Sequence, residues 1–249
     1  MLKRIIPILL IENQELIKTT QFKNPVYIGD LLNSVKIYNE LQVDELCILD
    51  KSARNNGINY KMISEFVDES FSPISYGGSI HNLEQIEKIL RLGIEKVILN
   101  SSLMDVPFVE RAIAKFGSST ISACIDYRVI SGNRYFTSEN GTNQSKIEAL
   151  EMLKKYADLG VGEFLLQSID GDGTYNGYDL EFLEETTKIV KNPIVIAGGC
   201  KDLNDVMSAL NKGASGAACG SLFVYYTDSR GILINYPSTE EFDSIGIKR

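Results

Sequence analysis

The stretch "PISYGGSIHNLEQIEKILRLGIEKVILNS", Pro73 to Ser101, decides how the chain folds. It opens with the apolar run "PISY" and turns on Gly77 and Gly78. Next comes "NLEQIEKILRLG" (82–93), whose apolar residues recur at helical spacing and which ends on a glycine, followed by the apolar "KVILN" (96–100). That reads as strand, helix, strand, the unit of a parallel sheet. The same unit recurs 120 residues later as "PIVIAGGCKDLNDVMSALNKGASGAACGS". Pro73 falls on Pro193, Gly78 on Gly198, Leu83 on Leu203, Leu90 on Leu210, Gly93 on Gly213 and Ser101 on Ser221. Six matches in one register, each in the same structural position, point to duplication.

Outward from these two units the alternation continues. Further apolar strands read as "RIIPILLI" (4–11), "DELCILD" (44–50), "TISACID" (120–126) and "EFLLQSI" (163–169). Eight strands in 249 residues predict an α/β chain folded as a single (β/α)8 TIM barrel over 1–249, with half-barrels of about 1–118 and 119–249. The competing architecture, an open doubly wound sheet, would be favoured by G-x-G-x-x-G after the first strand, and that pattern is missing there. One long break occurs at 127–145, where "VISGNRYF" predicts a hairpin with a Gly-Asn turn. The tail from Gly231 is expected to close the barrel with a short helix.

Composition narrows the function classes. Net charge is −8 and the basic residues are scattered, which argues against a nucleic-acid binder. Cys47, Cys124, Cys200 and Cys219 form no C-x-x-C pair and sit in or beside apolar runs, so they read as buried, reduced thiols. His81, the one histidine, cannot build a His-rich metal site and is given no role. No metal and no cofactor is expected. "IIPILLI" after Lys3 and Arg4 imitates a short signal peptide, but it stops at Glu12 with no small-residue cleavage site. No run reaches membrane-spanning length, and the expected location is cytoplasmic.

In such barrels chemistry sits at the C-terminal ends of the strands. Those ends carry Asp50, then Gly78 and Ser79, Asn100 and Ser101, Asp126, Asp172 and Gly173, Gly198 and Gly199, and Gly220 and Ser221. A Gly-Gly turn lets backbone N–H groups approach a phosphate, and here the device occurs twice, after strands three and four and after strands seven and eight. Two cradles across one mouth suggest a phosphorylated small molecule with a phosphate at each end. The plainer reading is that the glycines make tight turns and that Asp50, Asp170 and Asp172 are caps or turn residues. Asp126 is harder to explain that way. It ends an apolar strand and no glycine turn follows it, so it is the candidate general acid or base.

Together these residues resemble the cyclase subunit of imidazole glycerol phosphate synthase, HisF. The resemblance covers nearly the whole chain through "KRIIP", "VDELCILD", "YGGSIHNLEQIEKILRLGIEKVILNSS", "ACID", "GEFLLQSIDGDGTYNGYDL", "PIVIAGG" and "ACGSLF". It implies a barrel paired at its N-terminal face with a HisH-like glutaminase, whose ammonia crosses the barrel to a bisphosphorylated substrate. It also implies two catalytic aspartates, at the ends of strands one and five. Asp126 matches the second, whereas Leu10 stands at the first and "ENQEL" replaces a short basic turn. The family's charged ammonia gate is matched by Arg4, Glu45, Lys96 and Glu163. "FKNPVYIGD" (22–30) and "LINYP" (233–237) are similar to a HisF-like branch linked to sugar amidation, in which acetamidino groups form on surface glycans. That likeness implies ammonia supply to a separate sugar amidotransferase. The competing implication is a working cyclase of histidine synthesis, and a third is a scaffold that only activates a glutaminase.

Overall fold

A computed structural model describes residues 3–226 and 231–247; positions 1–2, 227–230 and 248–249 of the expected barrel and tail lie outside the described residues. Eight parallel strands close on themselves: β1 (Arg4–Glu12), β2 (Leu46–Asp50), β3 (Ile74–Gly77), β4 (Lys96–Leu99), β5 (Ile121–Ile130), β6 (Glu163–Ser168), β7 (Ile194–Ala197) and β8 (Gly216–Cys219). Each pairs with the next, and β8 returns to β1 with Arg4 opposite Gly216 and Pro7 opposite Cys219. The fold is the (β/α)8 barrel that the alternation predicted.

Among the described residues eight main helices follow the strands: α1 (Leu31–Glu40), α2 (Tyr60–Asp68), α3 (Leu83–Arg91), α4 (Val106–Phe116), α5 (Ala149–Leu159), α6 (Leu180–Ile189), α7 (Leu203–Asn211) and α8 (Thr239–Ser244), with one extra helical turn, Ala53–Asn56, between β2 and α2. The repeat is visible in their starts. Asn82 caps α3 and Asp202 caps α7, each accepting backbone N–H bonds from the first turn. Alternation along each strand then divides the core in two. Ile5, Leu9 and Ile11 face the helices, while Ile6 and Ile8 join Cys47, Ile98, Cys124, Leu165 and Val195 inside the barrel. The tail closes the far end as expected. Tyr236 packs edge-on against Phe223 and Phe242, and its hydroxyl donates to Ile5 O at 2.9 Å.

Two mouth segments differ from the reading of the sequence. "ENQEL" is a hairpin rather than a loop. Asn13 and Gln14 take φ of 52° and 71°, and Glu15–Thr20 runs back antiparallel to β1 with Leu10 opposite Ile17. A further strand, Lys23–Asp30, pairs on its outer side at the edge of the sheet, and it contains Pro25 where the register shifts, a place that tolerates proline. The hairpin after β5 does form, but its turn is Ser131-Gly132 rather than Gly-Asn. Both residues have positive φ, 50° and 85°, and Ile130 faces Asn133.

Candidate functional site

At the N-terminal end of the barrel, inward positions of β1, β4 and β6, together with Glu45 just before β2, bring four charges together. Arg4 Nη1 donates to Glu45 at 2.5 Å and Arg4 Nη2 donates to Glu163. Lys96 Nζ lies 3.1 Å from Glu45 and 3.2 Å from Glu163. Each cation therefore bridges both anions, and each anion holds both cations. Burial alone would lower the Arg4 pKa, but Glu163 and Glu45 outweigh it and hold it above the ordinary value. The four residues matched to the family's gate are thus one closed network across the barrel floor. Just above it a small void is lined by Ile6, Cys47, Ser75, Ile98 and Leu165.

At the opposite end lies a cavity of about 180 Å³. It collects the residues singled out in the sequence: Asp50, Gly78, Ser79, Asn100, Ser101, Asp126, Asp172, Gly173, Gly198, Gly199, Gly220 and Ser221. Leu10 lines it too. Ile98 lines both the cavity and the void above the gate, so the two spaces are separated by an apolar layer of the barrel interior.

Several of these side chains have structural partners as well. Asp50 Oδ1 accepts from Ser52 N, Ser52 Oγ and Ala53 N, and Oδ2 accepts from the Tyr76 hydroxyl, so it holds the turn after β2. Asn100 Nδ2 donates to Cys124 O and Thr137 O, tying β4 to the hairpin beside β5. Ser101 Oγ accepts from Glu139 N. The "SIDGDGT" loop clasps both mouth hairpins. Asp172 accepts from Thr19 Oγ1 at 2.8 Å, and Asp170 accepts from Arg128 at 3.0 Å and Val129 N at 2.8 Å. Gly198 and Gly199 have φ of 92° and 105°, and an added Cβ would meet backbone oxygens of Ser168 and Gly177 at 2.4 Å and 2.1 Å. Only glycine fits that turn, whether or not an anion occupies it.

Asp126 behaves differently. It is 8 % exposed, and among the described residues its carboxylate accepts one hydrogen, from the Cys124 thiol at 3.1 Å. Burial pushes its carboxyl up to about 7; the Cys124 bond opposes this and the Asp172 carboxylate adds to it. A carboxyl that exchanges its proton near neutrality suits general acid–base work.

Lys18 escaped the reading of the sequence. Its side chain is buried in the cavity, its Nζ donates to Ile8 O at 2.6 Å, and a Cβ on Gly220 would stand 2.5 Å from it. Burial lowers its pKa to about 8, against the pull of Asp172. The signal was a single lysine in "ELIKTT", and it becomes legible only once that segment is recognised as a strand returning over the mouth. His81 also reaches the cavity rim, where its Nε2 lies 2.8 Å from Ser79 Oγ.

The fold and site define a (β/α)8 barrel with two glycine turns around a cavity at one end and a closed charge network at the other. The chain belongs to the histidine biosynthesis protein family, whose sequence model matches residues 4–229. It is 41% identical over 246 residues to a Pseudomonas aeruginosa protein provisionally named imidazole glycerol phosphate synthase subunit hisF2, covering 97% of this chain and 98% of that one. A Leptospira interrogans protein with the provisional name subunit HisF is 41% identical over 248 residues, covering 97% and 98%. The imidazole glycerol phosphate synthase subunit HisF of Streptomyces coelicolor is 34% identical over 224 residues, covering 88% and 89%. The chain is therefore HisF-like over nearly its full length. Among the described residues no helix is long and apolar enough to cross a membrane, and no group of three or more acidic, histidine or cysteine side chains could hold a metal ion.

Proposed function

We propose that this chain is the barrel subunit of a glutamine-dependent amidotransferase system and conducts ammonia for sugar amidation. A HisH-like glutaminase docks at the N-terminal face, and ammonia passes the Arg4, Glu45, Lys96 and Glu163 ring into the apolar interior. It leaves at the mouth for amidination of a sugar by a separate amidotransferase, forming acetamidino groups on surface glycans. The observation that carries this reading is the contrast on one strand. Arg4 is fully engaged at the floor, while Leu10, in the mouth, offers no proton where the HisF resemblance expects the first catalytic aspartate. Loss of one acid or base costs on the order of 10²–10⁴-fold in the step it serves. Replacing Lys96 or Glu163 is expected to uncouple glutamine hydrolysis from product formation in the reconstituted complex. Unchanged glutamine-dependent amidation in both variants would sink the channel.

A second reading is favoured by one feature. Asp126, titrating near neutrality, shares a cavity with both glycine cradles, as a cyclase of histidine biosynthesis would require. Complementation of a histidine auxotroph lacking the cyclase subunit separates the two, and growth would reverse the ranking. Leu10→Asp then reports how much of the ancestral site survives, by whether cyclase turnover appears.

A further inference from the structure

The mouth holds a nucleophile that neither reading above employs. Lys18 lies on the strand returning over β1, in the same cavity as Asp126. Among the described residues no carboxylate lies within ion-pair distance of Lys18, and the Ile8 carbonyl accepts its hydrogen bond. A lysine placed this way is unusual. Buried lysines are ordinarily paired, because an unpaired buried ammonium is costly. The alternative to pairing is to shed the proton, which turns the side chain into an amine nucleophile. The neighbours allow this. The groups that act on its charge are Asp172 from the loop after β6, Cys47 on β2 and Cys219 on β8, and together they do not offset burial.

We propose that Lys18 forms an imine with the carbonyl carbon of a phosphorylated sugar or keto compound held in the mouth, and that ammonia then displaces it. The Lys18 amine adds to the carbonyl carbon while the Asp126 carboxyl gives its proton to the carbonyl oxygen. The carbinolamine loses water, leaving a C=N bond to Lys18, and the proton released from nitrogen restores the Asp126 acid. Ammonia adds to the imine carbon, the C–N bond to Lys18 breaks, and the free amine returns. The sum is carbonyl plus ammonia giving a primary imine plus water, with no oxidant or reductant. Only this exchange step rests on the ammonia-conducting reading; imine formation stands on the cavity alone.

The probe is dihydroxyacetone phosphate, trapped with cyanoborohydride on the intact chain and mapped by peptide mass. One reduced adduct per chain is expected, on the peptide carrying Lys18. Its initial rate of formation should follow a bell with its maximum at about pH 7.5, midway between the Asp126 acid and the Lys18 amine, and should be only about twofold higher at pH 8 than at pH 6.5. Lys18→Arg, which keeps the charge and length, should abolish it, and inorganic phosphate should compete. No adduct, adducts spread over surface lysines, or an adduct that survives Lys18→Arg would overturn the assignment, and wild-type mapping decides even if the variant folds poorly. Ammonium chloride added before the reductant should lower the trapped yield; an unchanged yield would overturn the exchange step. Failure of the gate variants to uncouple glutamine hydrolysis would instead overturn the channel while leaving the Lys18 adduct in place.

Discussion

The two ends of the barrel treat buried charge in opposite ways. At the floor, four charged side chains neutralise one another, and each contact joins opposite signs. At the mouth, Asp126 and Lys18 are buried, and among the described residues neither is in contact with an opposite charge. Paired charges in a poorly solvated site hold each other ionised, whereas isolated ones drift toward their neutral forms. The floor is therefore a set of matched charges, with each cation held between two carboxylates. The mouth carries an acid poised at about 7 and an amine poised at about 8. The difference separates a structural gate from a reactive centre within one set of strands.

The strongest way to break this comparison is Asp126→Asn. Adduct formation at Lys18 should slow by about 10²–10⁴-fold, the usual range for a lost general acid, measured as the initial rate of trapped product. Stability should move the other way. The folded pKa of Asp126 lies above its ordinary 3.8, so its contribution is fully present below that value and is lost as pH rises through about 7. Urea denaturation of the parent should thus fall off between these limits by at most about 1.4 kcal/mol per pH unit, a slope the Asn variant lacks. An identical pH profile in both proteins would mean Asp126 is solvated and not poised.

Next in size is the floor. Glu163→Gln leaves Arg4 and Lys96 sharing Glu45 alone. The expected cost is roughly 2–3 kcal/mol, below the fully buried range because Lys96 keeps 20% side-chain exposure. Lys96→Met with Glu163→Leu removes one charge of each sign and should recover most of that loss. A double-mutant cycle in chemical denaturation reads the coupling directly. Additive losses would show four independent surface charges rather than a network.

Much of this contrast was legible in the sequence, and the reasons differ by end. The floor was readable through the resemblance to HisF, which implies a charged gate at the strand starts, and apolar runs mark those starts out, with Arg4 before "IIPILLI" and Lys96 before "VIL". The repeat placed the glycine turns, since Gly78 and Gly198 share one register with the helices that follow. The mouth was less legible because its hairpins are short and polar. Glu15–Thr20 carries too few apolar residues to stand out, so Lys18 was passed over. Asp50 was read as a ligand candidate, and its dense set of local hydrogen bonds depends on Ser52 and Tyr76 arriving together in space. Pairwise closure of the ring is likewise a three-dimensional fact that strand-start positions only hint at.

Lys18 gives a subtler test of the same contrast. Its folded pKa lies below its ordinary 10.5, so its contribution is present above that value and is lost as pH falls through about 8. The parent should therefore gain stability between about pH 8 and 10.5, an interval in which Lys18→Met stays comparatively flat. Equal slopes in denaturant titrations would place the amine in water.

The smallest effects concern the helix starts that ring the mouth, where helix N-termini carry partial positive charge. Asn82 and Asp202 occupy equivalent places in the repeat, and each accepts first-turn N–H bonds. Replacing either by Ala should cost about 1 kcal/mol, read as a shift in the urea midpoint. The caps differ in charge, and that difference bears on the cradles. Each helix has one acid in its first turn, Glu84 in α3 and Asp205 in α7, but Asp202 adds a second carboxylate at the start of α7, where it takes up the Asn204 and Asp205 amides, whereas the Asn82 cap is neutral. An anion approaching the β7 side meets that negative charge, and one approaching the β3 side does not. Asp202→Asn keeps the cap and removes the charge, so stability should change by about 0.5 kcal/mol or less. Inorganic phosphate, titrated calorimetrically, should bind roughly two- to fivefold more tightly, the range that a few tenths to one kcal/mol allows. Equal phosphate affinity in the two proteins would mean that the α7 start takes no part in anion binding, leaving the Gly198-Gly199 turn as a purely structural feature of the barrel.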